Sequence, residues 1–73
     1  MISFKPLKKT LVELEINKME FVKMIGISSS TAAKMWRNEY VAMSVIDDIC
    51  NKLNCSLSEV IEHIPDTVKF DFD

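Results

Sequence analysis

Ser28, Ser29, Ser30 and Thr31 put four hydroxyls in a row, and Lys34 and Arg37 follow within two helical turns. A hydroxyl both donates and accepts hydrogen bonds, whereas lysine and arginine only donate and carry positive charge. If Ala32 and Met35 face a core, helical periodicity turns Ser29, Ser30, Ala33, Lys34 and Arg37 to the opposite side. That side is small, polar and then basic. It suits a major groove about 12 Å wide, where serine hydroxyls bond to several base edges and a lysine reaches guanine O6 or N7. Asn38 and Tyr40, together with Lys18 and the start of the preceding helix, are then candidates for phosphate contacts that fix the register. The plainer alternative is that the serines and threonine cap a helix while the lysine is solvated.

Other chemistries find little support. His63 is the single histidine, and the two cysteines, Cys50 and Cys55, fall short of a four-ligand zinc site. Both thiols read as small, buried or half-buried side chains, with a disulfide as the lesser alternative. Asp47 and Asp48 stand near a helix start, where the backbone dipole favours carboxylates, so they read as helix chemistry rather than general acid and base. With neither a nucleophile motif nor a glycine-rich phosphate loop, the sequence points away from an enzyme, and no cofactor is expected. No apolar run approaches the roughly 20 residues of a membrane span, and MISFKPLKK lacks a signal peptide's apolar stretch, so a cytoplasmic protein is expected.

The net charge of −2 hides a strong asymmetry. Residues 1–40 carry seven basic and four acidic side chains, whereas residues 41–73 carry two basic and seven acidic. A two-sided charge distribution can orient a molecule toward a polyanion despite its overall sign.

Positioning the candidate face takes two short helices and a turn. Within 73 residues that are 48% hydrophobic, with one glycine and two prolines, the expectation is one all-α domain. Pro6 suits the first turn of a helix running to about Glu15, with Leu7, Leu11 and Leu14 on one apolar stripe. Asn17 is a suitable N-cap for a second helix, with Glu20 completing a capping box and Phe21, Val22 and Ile25 on its apolar face. Gly26 follows as the residue that most easily takes the left-handed helix-ending conformation. Ser28 caps a third helix over about Ser29 to Arg37, which makes a helix-turn-helix of residues 17–37. Trp36 is expected to lie across the edge of the core, with a protein-binding role as the alternative.

After the loop RNEYVAM, Ser44 with Asp47 predicts the start of a fourth helix carrying Val45, Ile46, Ile49, Cys50 and Leu53 inward, closed by a left-handed Asn54. Ser56 with Glu59 predicts a fifth helix through Leu57, Val60, Ile61 and Ile64, ending before Pro65 with His63 near its end. The tail, residues 66–73, contains TVKFDFD. Its alternation of apolar and charged residues predicts a strand pairing with the N-terminal MISF.

The run NKMEFVKMIGISSSTAAKMWRNEYVAMSVIDDICNKLNCSLSEVI resembles the lambda-repressor-like, Cro/CI-type helix-turn-helix domains of bacterial and phage regulators. It is most similar to a small single-domain subgroup that begins like MISFKPL and carries GISSST in the turn, and the likeness covers about residues 1–65. The resemblance implies a five-helix DNA-binding domain and a sequence-specific transcriptional regulator. It implies that Ser29, Ser30 and, one turn on, Lys34 read bases, with Ala33 and Arg37 on the same face. Asn17, Lys18, Asn38 and Tyr40 would touch the DNA backbone, and the hydroxyls of Ser28 and Thr31 belong with them. Ala32, where the family has a larger aliphatic residue, and Trp36, where it has a smaller or polar one, depart from the pattern. The expected partners are double-stranded DNA and a second copy, since one copy reads only a few base pairs. The alternative is a protein-interaction module on the same fold, such as an anti-repressor or antitoxin, acting through Trp36, Tyr40 and the acidic surface.

Overall fold

The computed structural model describes residues 1–66. In chain order it contains strand β1 (Ile2–Ser3), helices α1 (Lys5–Glu13), α2 (Lys18–Ile25), α3 (Ser29–Trp36) and α4 (Met43–Leu53), a single 3₁₀ turn (Leu57–Glu59) and strand β2 (Glu62–His63). Phe4, Leu7, Leu11, Phe21, Ile25, Met35, Ile46, Ile49, Leu53 and Val60 form one buried cluster, so each of the four helices contributes to the same core. Ala32 joins Met35 as a buried residue of α3, Thr31, Ala33 and Trp36 are half-buried, and Ser29, Ser30 and Lys34 face outward.

Local sequence signals set most of the boundaries. Asn17 accepts the Glu20 N–H at 2.8 Å while Glu20 Oε1 accepts the Asn17 N–H at 3.0 Å, a reciprocal capping box that opens α2. Gly26 closes α2 at φ 78°, and Asn54 closes α4 at φ 51°, both left-handed. Helix α1 ends earlier than the leucine spacing predicts. Glu15 turns left-handed at φ 58°, and the Ile16 N–H reaches back to the Leu11 carbonyl at 2.9 Å, so Leu14 is left exposed instead of joining the core. Helix α4 begins one residue before Ser44: the Ala42 carbonyl takes the Val45 N–H at 3.0 Å, and Ser44 lies inside the first turn.

The expected fifth helix is not formed, and the domain has four α-helices among the described residues. Ser56 and Glu59 do build the anticipated capping box, but only one 3₁₀ turn follows. The carbonyls that a continuing helix needs are taken by α1. Thr10 Oγ1 donates to the Glu59 carbonyl at 2.8 Å, and the Leu7 N–H donates to the Val60 carbonyl at 3.2 Å. With those acceptors occupied, residues 62–63 extend into β2, and His63 lies in a strand rather than at a helix end. The N-terminal segment forms the expected strand, and among the described residues it pairs with β2. The pairing is antiparallel, with Ile2 opposite His63 and Ser3 opposite Glu62. The predicted strand in TVKFDFD lies outside the described residues. Cys50 and Cys55 are half-buried free thiols, and burial pushes the Cys55 thiol upward.

Candidate nucleic-acid interface

Helices α2 and α3 are joined by a turn whose geometry follows from Gly26. The Gly26 N–H donates to the Val22 carbonyl at 3.0 Å, and Ile27 then packs partly inward. Ser28 is extended and caps α3, its Oγ accepting the Thr31 N–H at 3.2 Å. The same oxygen lies 3.0 Å from Ser30 Oγ and donates to Thr31 Oγ1 at 3.0 Å. Three of the four consecutive hydroxyls thus share one small network at the start of α3, and Ser28 and Thr31 are partly committed to capping. Lys52 on α4 holds the other side of the turn, its Nζ donating to the Met24 carbonyl at 3.1 Å near the C-terminus of α2.

The outward face of α3 carries Ser29, Ser30, Lys34 and, just past its end, Arg37, all exposed, with Ala33 half-buried between them. These are the residues that the helical spacing grouped together. Arg37 does not project alone: its Nε donates to Glu39 in an exposed ion pair. The hydrogen bond and the nearby positive charge hold the Glu39 carboxyl below the usual range, with Lys34 adding a smaller attraction. Glu39 is therefore the acidic member of an otherwise basic face.

Beyond α3 the chain reverses at Asn38, which is left-handed at φ 59°. The Glu39 N–H reaches the Lys34 carbonyl at 2.8 Å, and Asn38 Oδ1 accepts the Phe4 N–H at 2.8 Å. The side-chain oxygen of Asn38 thus fastens the end of α3 to the start of α1. Tyr40 stands exposed on the rim of a shallow groove of about 260 Å³, lined with it by Thr31, Lys34, Val41, Ala42 and Val45. Asn17 and Lys18 are both exposed at the start of α2, with the Asn17 oxygen occupied by its capping bond.

Sequence reasoning missed the contacts that tie these residues to distant parts of the chain. Lys18 Nζ lies 4.9 Å from the centroid of the Trp36 ring. Lys8 Nζ, from α1, donates to the Trp36 carbonyl at 3.4 Å. The indole itself is half-buried against Phe21, with ring centroids 5.9 Å apart and planes at 49°, on the edge of the core as expected. No local pattern announces pairs so far apart in sequence. The excess of lysines in the first 40 residues was the one hint.

The arrangement is that of two short helices at a glycine turn, the second presenting hydroxyl and cationic groups outward. A family model for the Cro/C1-type HTH DNA-binding domain matches residues 6–66. The chain belongs to this family. Among solved structures it is similar to the transcriptional regulator VanUg, in a crystal structure designated Form II, with 37% sequence identity and a TM-score of 0.85. The likeness covers 89% of this chain and 87% of that one. No curated protein matches. The family assignment confirms the resemblance read from residues 17–61, and it accords with the polar and basic outer face of α3.

Proposed function

We propose that this member of the Cro/C1-type family is a non-enzymatic, sequence-specific transcriptional regulator that lays α3 in the major groove of DNA. Ser29, Ser30 and Lys34 contact base edges, with Ala33 offering a methyl to thymine and Arg37 reaching a base once released from Glu39. Asn17, Lys18, Ser28, Thr31, Asn38 and Tyr40 meet the sugar–phosphate backbone on either side, setting orientation rather than sequence preference. The observation that carries this reading is the exposure of Ser29, Ser30 and Lys34 on one side of α3 while Ala32 and Met35 lie buried on the other. Useful affinity then comes from a homodimer on two half-sites about one helical turn apart, roughly 34–36 Å.

The test is selection from a randomised duplex pool, followed by fluorescence anisotropy, with wild type compared with a Ser30→Ala, Lys34→Ala double variant of unchanged helicity. The wild type is expected to enrich a discrete sequence of two related half-sites and to lose affinity steeply as salt rises. The double variant is expected to lose the sequence preference. A wild type that enriches nothing, or whose binding is indifferent to salt, would refute the proposal and turn attention to a protein partner.

A further inference from the structure

Trp36 ends α3 where α1 and α2 both converge on it. Its ring packs against Phe21, which is fully buried, so the indole is seated on the core. The Lys18 ammonium, from the first residue of α2, sits 4.9 Å from the ring centroid. Lys8, from α1, bonds to the carbonyl of the same residue at 3.4 Å. Two lysines from two different helices are thereby gathered at the end of α3.

An ammonium held by an aromatic face keeps its full charge, because the attraction comes from the ring quadrupole and not from a counter-ion. A carboxylate partner would have cancelled it. Among the described residues the ion pairs are those of the N-terminus with Asp66 and of Arg37 with Glu39, and neither involves Lys18. Lys18 is exposed, and an ammonium has three donors, so N–H groups directed away from the ring can still bond to an anion. A free lysine on a solvated surface must surrender rotamer freedom when it grips a phosphate, and a lysine already held over a ring surrenders less.

We propose that Trp36 is a positioning residue for the DNA backbone: it holds the Lys18 ammonium in a fixed relation to α3, so that the phosphate grip of α2 and base reading by α3 share one register. This rests on the DNA-binding reading given above. The role is absent from the sequence pattern because it depends on a tryptophan packing across α2.

The experiment is a double-mutant cycle on the duplex selected by the wild type, using Lys18→Ala, Trp36→Leu and the combined variant, with circular dichroism to check folding. Trp36→Phe serves as the conservative variant that keeps a ring. Lys18→Ala is expected to weaken binding and to reduce the slope of log K against log salt by about 0.9, the value for one phosphate contact. Trp36→Leu is expected to weaken binding about 2- to 5-fold when Lys18 is present, the range of an exposed cation–π contact, and to have no further effect when Lys18 is alanine. Trp36→Phe should fall between wild type and Trp36→Leu. An equal loss from Trp36→Leu in both backgrounds would overturn the positioning role while leaving DNA binding intact. A wild type that binds no duplex would instead overturn the DNA-binding reading, and the positioning role with it.

Discussion

Replacing Asn38 tests whether the end of α3 is fastened to α1 as the geometry indicates. Its side-chain oxygen accepts the Phe4 N–H at 2.8 Å, and Phe4 is 1% exposed, so removing the acceptor leaves a buried donor without a partner. Such a loss costs about 1–3 kcal/mol. Alanine also loses the ease with which asparagine adopts the left-handed φ of 59°, adding about 1 kcal/mol. Asn38→Ala should therefore destabilise by roughly 2–4 kcal/mol, a large share of the 5–15 kcal/mol typical of a domain. Thermal unfolding followed by circular dichroism should show Tm falling by at least about 8 °C, at 4–8 °C per kcal/mol for a domain of this size. Asn38→Gly isolates the two effects, because it restores backbone freedom but not the acceptor, and should recover about 1 kcal/mol. Asn38→Asp keeps an acceptor in a residue that tolerates the left-handed region, so it should remain within about 0.5 kcal/mol of wild type. It removes the amide donor and adds negative charge, so DNA affinity should fall while stability holds. An Asn38→Ala variant as stable as wild type, or an Asn38→Asp variant as damaged as Asn38→Ala, would refute the fastening role.

Three further outcomes follow from the same geometry. Gly26→Ala should lower stability by about 1 kcal/mol, seen as a Tm drop of roughly 4–8 °C. A Cβ there meets nothing within 4 Å, so the cost is that of φ 78° alone, and an equal loss in Gly26→Asn would contradict this origin. Glu39→Gln should release Arg37 toward a base edge and remove an anion from the α3 face, raising DNA affinity; a weaker complex would argue that the pair positions Arg37 productively. The Glu59 carboxyl is held below its usual range by the Ser56 N–H and hydroxyl, each at 3.0 Å. Because the folded-state pKa is depressed, this contribution is full above the unfolded glutamate pKa of about 4.3 and is lost as pH falls through the folded value. Glu59→Gln should accordingly narrow its stability gap to wild type between pH 7 and pH 3, and a constant gap would refute the assignment.

Features that depend on adjacent residues are legible in the chain's own order of side chains. The Asn17 and Glu20 capping box, the left-handed Gly26 and Asn54, the Ser28 cap and the grouping of Ser29, Ser30 and Lys34 on one face each follow from a few neighbours. The misreadings share a different cause. Ser56 and Glu59 do signal a helix start, but whether that helix continues is decided by Leu7 and Thr10, far away in the chain. Leu14 has the right spacing for the core, yet the turn at Glu15 carries it out. The Asn38 bond to Phe4 and the Lys18 seat on Trp36 are likewise choices among distant partners, on which local propensity is silent.

The clasp between β1 and β2 has a consequence for the order of events in folding. It joins Met1 to Ile64 across 63 positions, whereas α2 packs on α4 and the turn between α2 and α3 is closed by neighbours. Closing the longest loop costs the most chain entropy, so the clasp gains little until the helices have already drawn the ends together. The helical middle should thus be formed in the transition state and the clasp absent from it. Weakening β1, for instance by Ile2→Ala, is then expected to speed unfolding while leaving the refolding rate nearly unchanged in stopped-flow measurements. The terminal ribbon would act less as part of the folding nucleus than as a latch that sets how long the finished domain survives.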